Sequence, residues 1–452
     1  MVIKNNHQKS RGLWNTRFGF ILAASGSAVG LGNIWKFPYI VGQNGGGAFV
    51  LIYILCTIAV GLPIMLAEFT IGRKTCLNPV GAFQSLKPKS HWVKIGYMGV
   101  LAGFFILSFY AVVGGWTLAY FVKAFTHTMS DFSSPKEAGQ FFGSFIANTW
   151  EVLFYHALFM AICVGIVLRG IHGGIEKACK VLMPTLVIIL IFLMFRSLTL
   201  PGAMEGIEFY LKPDFSKIGP QTILIALGQA FFSLSLGMGC MLTYGSYLPE
   251  QENLTSATVY VVIFDTVIAL LVGMVIFPAV FAMGLEPTEG PSLVFSVLPA
   301  VFVDMPFGNL VSIIFFALLA IAAITSGISL LEVVVAYFID QRKWDRKKAV
   351  LVTSVTIFAF GVPSGLSFGV LSETKLFDMN FFDHVDNIAS NYLLPLGGML
   401  TAIFVGWVWG TKSAEEEIEK HETKFHWGHV WGFLIRYISP VAVFLVFCAK
   451  FF

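Results

Sequence analysis

Apolar segments recur along the chain from Phe18 to Phe451, and this recurrence constrains the fold more than any other feature. Each is roughly 20 residues or longer, the length that a helix needs to cross a hydrocarbon core of about 30 Å. The segments are continuously apolar, whereas a membrane β-barrel requires alternation at every second residue. Hydrophobic residues make up 56% of the chain and charged residues 12%, with a mean hydropathy of +0.78. We therefore predict an all-α, polytopic membrane protein.

Eleven spans are predicted, all within one transmembrane domain over residues 1–452. Their ranges are 18–41, 48–72, 95–125, 152–169, 179–196, 220–246, 256–284, 308–338, 348–370, 386–410 and 430–451. Basic residues concentrate before the first span and in the connections near 73–94, 169–180 and 342–348, while the alternate connections are richer in acids. By the positive-inside rule, we expect the N-terminus in the cytoplasm and, with eleven spans, the C-terminus outside. The first apolar segment is too long for a cleavable signal peptide.

Two of the predicted spans are interrupted by residues that break helices. Residues 26–33 read GSAVGLGN and residues 233–239 read SLSLGMG. Inside a bilayer, unpaired backbone groups are costly unless they are buried in protein or line a watery cavity. Broken helices at corresponding positions of two halves indicate a secondary transporter with a binding site near the bilayer midplane. We predict an inverted five-plus-five helix repeat, about residues 18–196 and 220–410, with broken helices 1 and 6 and an eleventh helix outside the repeats.

Oxygen-bearing side chains lie at or near these breaks, and a hard cation such as sodium prefers oxygen ligands. Asn33 lies at the first break, Ser233 opens the second, Asp265 lies in the seventh span, and Thr325 and Ser326 lie in the eighth. Ser and Thr in membrane helices also bond to their own helix or join two helices, which is the structural alternative. Their coincidence with the breaks favours an ion site.

Glu68 and Asp265 are carboxylates inside apolar segments. An Asp at the centre of a membrane helix costs roughly 2.5 to 3.5 kcal/mol on insertion scales, so such a residue indicates a function or a specific partner. We interpret Asp265 as an ion ligand that a cation keeps ionised. Glu68 is interpreted as a structural acceptor for N–H groups freed at the first break, and the alternative is a proton carrier.

The broken helices also indicate the chemistry of the substrate. The N-termini of half-helices present backbone N–H groups and positive dipole ends, which suit a carboxylate and favour an amino acid. Tyr110 is a candidate donor to that carboxylate, Phe232 a candidate lid, and Met238 a candidate for the side-chain pocket. Taken singly, Phe232 and Met238 are equally typical of core packing.

Outside the spans, the polar stretch 413–429 is predicted to form a short solvated cytoplasmic helix. It contains Glu417, His421, Glu422 and His426 at metal-like spacing, but the surroundings are charged and we predict no metal site. The six cysteines have no paired metal spacing, and we expect free thiols.

Several short motifs occur in order along nearly the whole chain. They are WNTR at 14–17, NIWKFPY at 33–39, NGGGAF at 44–49, EFTIGR at 68–73, GQAFF at 228–232 and AAITS at 322–326. In these motifs the chain resembles the neurotransmitter:sodium symporter family, in particular its bacterial eleven-helix amino-acid transporters. The resemblance implies a transporter rather than an enzyme, located in the bacterial inner membrane.

The resemblance also implies two sodium sites and one substrate site, carried over at matching positions. The first sodium site comprises the substrate carboxylate with Ala28, Asn33, Ser233 and Asp265. The second comprises the carbonyls of Gly26 and Val29 with Ala322, Thr325 and Ser326. Substrate contacts are implied at Ala28, Gly30, Gly32, Tyr110, Phe232, Ser235 and Met238.

The same resemblance implies gates on both sides of the membrane. Lys36 and Asp386 match an extracellular gate pair, in which Lys is a point charge without the bidentate fork of Arg. The intracellular gate is implied at Arg11, Trp14, Tyr247, Glu332 and Asp340. Gly174 and Pro184 match a spacing that allows the fifth helix to unwind inward, where Gly and Pro already weaken the backbone.

Two positions refine the expected function. Gly30 stands where monoamine-carrying relatives have an acid, which disfavours a cationic amine without its own carboxylate. Asp265 stands where chloride-dependent relatives have a neutral residue, so its fixed charge predicts chloride-independent transport. We predict sodium-coupled import of a neutral, hydrophobic or aromatic L-amino acid by alternating access.

Three alternatives belong to other mechanisms or classes. One is a proton-coupled amino-acid carrier on a related repeat fold, and another is a substrate-gated channel or receptor. An enzyme is disfavoured because no nucleophile and base or metal cluster accompanies the polar residues. The expected partners are an amino acid and membrane lipid, with no nucleic acid, and the sequence does not indicate an oligomeric state.

Overall fold

The computed structural model describes residues 12–129, 132, 134–285, 293–303, 305, 307–420 and 424–448. Within these ranges, nine helices are each long and apolar enough to cross a membrane. A further span consists of two helices bent by 47° at a short break, and another two-piece helix lies between the fifth and seventh spans. The predicted all-α fold with two broken helices is confirmed.

The spans are numbered α1 to α11 in chain order. They are α1 (Arg17–Ala28 and Gly32–Gln43), α2 (Gly47–Thr75), α3 (Val93–Phe125), α4 (Thr149–Val167), α5 (Ile171–Leu198), α6 (Pro220–Ser233 and Cys240–Gly245), α7 (Leu254–Ala282), α8 (Gly308–Arg342), α9 (Arg346–Leu366), α10 (Phe381–Glu419) and α11 (Gly428–Cys448). Shorter helices in the connections are Pro79–Leu86, Pro135–Ala147, Ala203–Leu211, Phe215–Lys217 and Val297–Val303. The fifth and tenth spans are longer than predicted.

Both breaks have a local backbone cause. In α1, Val29 takes φ −72° and ψ 100°, outside the helical region, and the helix resumes at Gly32 with a wide turn. In α6, the chain between the two pieces passes through left-handed conformations at Ser235, Gly237 and Gly239, with φ of 54°, 76° and 76°. Glycine adopts such a conformation without steric cost, whereas Ser235 is strained there.

Two long helices, α3 and α8, are the most buried of the nine continuous spans in the described ranges. Both contact the break in α1. Ser27 Oγ donates to Ser329 Oγ of α8 at 2.8 Å, and Leu31 N donates to the Tyr110 hydroxyl of α3 at 3.3 Å. The two long helices therefore bring polar atoms to a backbone that has lost its own helical partners.

The predicted solvated helix over 413–429 is wrong in its first part, because α10 continues to Glu419 and Glu417 is only 1% exposed. Glu417 Oε1 lies 3.3 Å from Arg73 Nε of α2, and its Oε2 lies 3.2 Å from Lys74 Nζ. Arg73 is fully buried and also donates to the carbonyl oxygens of Glu252 and Glu417. The charged end of α10 is thus stabilised by buried partners rather than by water.

Replacing Arg73 with Ala is expected to destabilise the protein by about 3 to 5 kcal/mol, because it leaves the Glu417 carboxylate buried with less charge compensation. Lys420→Ala is the control, since Lys420 pairs with Glu250 at 3.1 Å in a largely solvated position. Exposed pairs of this kind contribute about 0 to 1 kcal/mol. Thermal unfolding of the purified variants measures the difference, and equal midpoints for the two variants would contradict the account.

Candidate functional site

A buried carboxylate, that of Asp265 on α7, lies beside the first break and is contacted by polar side chains from three other helices. Asn33 Nδ2 donates to Asp265 Oδ1 at 2.8 Å, and Ser233 Oγ donates to Asp265 Oδ2 at 2.8 Å. The Tyr53 hydroxyl of α2 lies 3.1 Å from Ser233 Oγ and 3.4 Å from Asp265 Oδ2. All four side chains are buried. The structure therefore brings together Asn33, Ser233 and Asp265, as expected for one oxygen cluster, and adds Tyr53.

Tyr53 was not identified from the sequence. It lies in the apolar run of α2, and aromatic residues make up 15% of the chain, so nothing local distinguishes it from a packing residue. Its role appears only when α2 packs against α6 and α7.

A second oxygen cluster lies where α8 passes the break. Ser326 Oγ is 3.4 Å from the Gly26 carbonyl oxygen, 3.2 Å from that of Ser27 and 3.5 Å from that of Val29. Next to it, Thr325 Oγ1 donates to the Ala322 carbonyl at 3.0 Å. Ser326 thus meets the expected carbonyls of Gly26 and Val29, together with that of Ser27, whereas the bond between Thr325 and Ala322 lies within α8.

The chain between the two clusters has no room for a side chain at Gly30. A Cβ added there would lie 2.3 Å from Ser326 Oγ and 3.1 Å from the Tyr110 hydroxyl. Gly30 N in turn donates to Asn33 Oδ1 at 3.3 Å. Packing therefore requires glycine at position 30, in addition to the expected link between this position and the charge of the substrate.

The second half of the break is held by α6. Gln229 Nε2 donates to the Gly32 carbonyl at 2.8 Å, and a Cβ on Gly32 would lie 3.0 Å from the Phe232 ring. On the other side of the break in α6, Ser235 Oγ donates to the Ser27 carbonyl at 2.8 Å. The two broken helices therefore support each other through side-chain bonds to exposed carbonyls.

A cavity of about 270 Å³ opens above the break and reaches down to Leu31 and Tyr110. Aromatic rings form most of its lining, namely Trp35, Tyr39, Phe109, Tyr110, Trp116, Phe142, Phe232, Phe295, Phe368 and Phe382. Met238, expected in the side-chain pocket, is 3% exposed and lies deeper, where its backbone approaches Gly99 of α3.

Lys36 and Asp386, the expected extracellular gate pair, both line this cavity. The Lys36 ammonium lies 4.4 Å from the centre of the Phe232 ring, a cation–π contact.

Glu68 contacts a different break from the one expected. The Gly237 N–H in the break of α6 donates to Glu68 Oε1 at 2.8 Å. The expectation that Glu68 serves the first break is wrong, because α2 runs closely along the inner half of α6: a Cβ on Gly72 would lie 2.2 Å from the Leu242 carbonyl oxygen. Its expected role as an acceptor for freed backbone is retained at the other break.

A series of hydrogen bonds joins the segment before α1 to residues of the expected intracellular gate. Trp14 N donates to the Tyr247 carbonyl at 3.1 Å, and the Tyr247 hydroxyl donates to Glu332 Oε1 at 2.6 Å. Arg346 Nη1 and Nη2 reach the Glu332 carboxylate at 3.2 and 2.6 Å. Arg346 was not identified from the sequence, because it lies in a basic run that the positive-inside rule already explains. The expected gate residues Trp14, Tyr247 and Glu332 thus lie together.

Two expected gate features, the contact of Arg11 with Asp340 and the unwinding of α5, stay predictions. Arg11 lies outside the described residues, and Asp340 accepts from Asn78 N at 2.7 Å and Asn78 Nδ2 at 3.0 Å. Gly174 lies in a wide turn that begins α5, and Pro184 lies inside the same helix. In this structure α5 is helical through both positions.

The sequence matches the family model described as "Sodium:neurotransmitter symporter family" over residues 11–137 and 142–452. It is 43% identical over 435 residues to an uncharacterized sodium-dependent transporter, YhdH, of Bacillus subtilis (strain 168), which covers 96% of both chains. It is 28% identical to the human sodium- and chloride-dependent GABA transporter 2, which covers 90% of this chain and 75% of the relative. The crystal structure of MhsT in complex with L-phenylalanine is similar with a TM-score of 0.90 and 49% identity, over 97% of this chain and 99% of MhsT.

Glu68→Leu is expected to destabilise the protein by about 1 to 3 kcal/mol, because it leaves the Gly237 N–H buried without an acceptor. Glu68→Gln keeps the length of the side chain and one acceptor oxygen, so it serves as the matched control. Thermal unfolding of both variants in the same detergent measures the difference. A Gln variant as unstable as the Leu variant would show that the charge, rather than the hydrogen bond, is what the second break requires.

Proposed function

The chain belongs to the sodium:neurotransmitter symporter family and is a sodium-dependent transporter, and from this premise we propose that it imports a neutral, hydrophobic or aromatic L-amino acid with sodium. The observation that carries the proposal is the pair of oxygen clusters on either side of Gly30. Between them the α1 backbone is open on the side of the aromatic cavity. A ligand that brings its own carboxylate complements that arrangement.

The first sodium ion is proposed to bind at the Asp265 cluster. The Asn33 amide oxygen, Ser233 hydroxyl, Asp265 carboxylate and Ala28 carbonyl are its protein ligands, and the substrate carboxylate completes the set. Asn33 Nδ2 and Ser233 Oγ already donate to Asp265 at 2.8 Å each, which places both side chains beside the carboxylate. The Asn33 amide oxygen accepts from Gly30 N at 3.3 Å, and cation binding exchanges that bond for the ion. Tyr53 supports the assignment because its hydroxyl donates toward the same carboxylate.

The second sodium ion is proposed to bind between α1 and α8. Its ligands are the carbonyls of Gly26, Val29 and Ala322 with the hydroxyls of Thr325 and Ser326. No carboxylate is needed, because five neutral oxygens suit a monovalent cation. The convergence of Ser326 Oγ on the carbonyls of Gly26 and Val29 supports this assignment.

The substrate is proposed to lie with its carboxylate against the backbone at Ala28, Gly30 and Gly32 and the Tyr110 hydroxyl. Its side chain extends among Phe232, Ser235 and Met238. The ring-rich cavity supports an apolar side chain, since aromatic pairs add about 0.5 to 1.5 kcal/mol beyond the burial of their area. MhsT, with 49% identity, is a structural neighbour in complex with L-phenylalanine.

Alternating access is proposed to follow from the gates on the two sides. Phe232 closes over the substrate. Lys36, whose ammonium contacts the Phe232 ring, then moves toward Asp386. The bonds around Trp14 and Tyr247 then release on the inner side, with Arg11 and Asp340 belonging to the same gate. The α5 segment from Gly174 to Pro184 unwinds to open a path for the second sodium ion.

The experiment that tests the function is uptake of the twenty amino acids into proteoliposomes, with and without an inward sodium gradient. We expect concentrative uptake of aromatic and large aliphatic amino acids only with sodium. A second candidate, proton coupling, is favoured by Glu68, which is 2% exposed and has no basic partner in the described part of the chain. Uptake driven by a pH gradient at zero sodium would support that candidate and contradict the proposal.

Asp265→Asn is expected to lose sodium-driven uptake when gluconate is the only anion and to recover part of it in chloride. The reason is that Asp265 supplies a fixed negative charge next to Tyr53 and Ser233, which a mobile anion can replace. The unmodified protein is the control, and its uptake is expected to be the same in gluconate and in chloride. Loss of its uptake in gluconate would contradict chloride independence.

Gly30→Ala is expected to weaken sodium binding at least about tenfold, equivalent to about 1.4 kcal/mol. The added methyl group forces Ser326 Oγ away from the carbonyls of Gly26 and Val29. Gly228→Ala is the matched control, because its Cβ meets only Val446 at 3.8 Å. Binding of radioactive sodium to the purified variants measures the effect, and equal affinities would exclude this position from the sodium site.

A further inference from the structure

Glu176 is a buried carboxylate for which neither the sodium sites nor the expected gates have a role. It ends the wide turn Ile171–Glu176 at the start of α5, two residues after Gly174, and is 0% exposed. Its oxygens accept four hydrogen bonds. Asn15 N and Thr16 Oγ1 donate at 2.9 Å each, Lys180 Nζ at 2.6 Å, and His172 Nδ1 lies at 3.1 Å.

Two of these partners belong to the segment that enters α1, and the contact there is tight. Thr16 caps α1, since its hydroxyl accepts from Gly19 N at 3.0 Å while donating to Glu176. A Cβ on Gly19 would lie 2.3 Å from Glu176 Oε1, so α1 approaches the carboxylate as closely as a glycine allows. A negative charge beside the first turn of a helix is also favoured by the helix dipole.

On the α5 side, Glu176 belongs to the wide turn that begins the helix. Wide turns with i→i+5 hydrogen bonds are rare and frequently mark functional positions in helices. Gly170 has φ 83°, and a Cβ on Gly174 would lie 2.1 Å from the Ile166 carbonyl oxygen. Any change of this turn therefore moves the Glu176 carboxylate relative to Asn15 and Thr16.

We infer that Glu176 is a positioning residue of the inner gate, whose carboxylate couples release of the segment entering α1 to loosening of the first turns of α5. The two movements then occur together, because the bonds to Asn15 and Thr16 exist only while the wide turn keeps its shape. The inference rests on the proposed alternating access. It adds the bonds of Glu176 to those of Tyr247 as contacts of the segment that enters α1.

The reaction rate of the Cys179 thiol measures directly how often the start of α5 opens. It lies on α5 three residues after Glu176 and is 0% exposed, so a thiol reagent reacts with it only when this region opens. The test uses purified protein in which the other five cysteines are replaced by Ser or Ala, and a hydrophilic maleimide in sodium buffer. Glu176→Gln is expected to raise the labelling rate of Cys179 about tenfold or more, as expected when a charged hydrogen bond is lost.

Two further variants separate coupling from a simple weakening of α5. Thr16→Val removes the partner on the α1 side and is expected to raise the rate similarly, with Thr16→Ser restoring it. The double variant Glu176→Gln with Thr16→Val is expected to raise the rate by less than the product of the two single increases, because the two residues share one contact. Lys180→Gln removes a partner within α5, leaves Asn15 and Thr16 bonded, and is expected to leave the rate unchanged.

An unchanged rate in Glu176→Gln would overturn the inference, and so would an equal increase in Lys180→Gln. Thermal unfolding of each variant verifies that the comparison is made on folded protein. The labelling requires no substrate, so it is independent of which amino acid is carried. Normal labelling responses in a protein that fails to accumulate amino acids would contradict the proposed function and leave the coupling by Glu176 standing.

Discussion

The structure depends on the pairing of backbone groups that two broken helices expose in the interior of a membrane protein. No water is available in a bilayer core, so each exposed group needs a partner from a neighbouring helix. Side chains from α2, α3, α6 and α8 provide these partners, as seen for Glu68 with Gly237 N, Tyr110 with Leu31 N, Gln229 with the Gly32 carbonyl, Ser235 with the Ser27 carbonyl, and Ser326 with the carbonyls of the first break. The positions of these helices follow from that requirement.

The same exposed groups provide the proposed chemistry. Carbonyl oxygens that no helix uses are available to sodium, and N–H groups at the ends of half-helices are available to a carboxylate. The α1 backbone between Gly26 and Asn33 borders both oxygen clusters. This shared backbone gives a physical route by which ions and substrate influence each other's binding, and it explains why the break tolerates no side chain at Gly30.

Much of this could be predicted from the sequence, and the exceptions have physical reasons. Glycine-rich interruptions and an intramembrane acid are local signals, so the breaks and Asp265 were identified directly. Tyr53 and Glu176 depend on contacts between helices distant in sequence, and no periodicity indicates which face of α2 or α5 meets α6 or α1. Glu417 was assigned to solvent because its neighbours are charged, whereas its actual partner, Arg73, is 344 residues away. Which of the two breaks Glu68 contacts likewise depends on how α2 packs against α6, which the sequence does not indicate.

The central claim is that sodium and an amino-acid carboxylate bind as one coupled unit at the first break. Equilibrium binding of L-phenylalanine to the purified protein at a series of sodium concentrations tests it, together with sodium binding at a series of L-phenylalanine concentrations. The account predicts that each ligand raises the affinity for the other by the same factor, as thermodynamic linkage requires. L-phenylalanine binding that is equally tight in sodium and in potassium would contradict it.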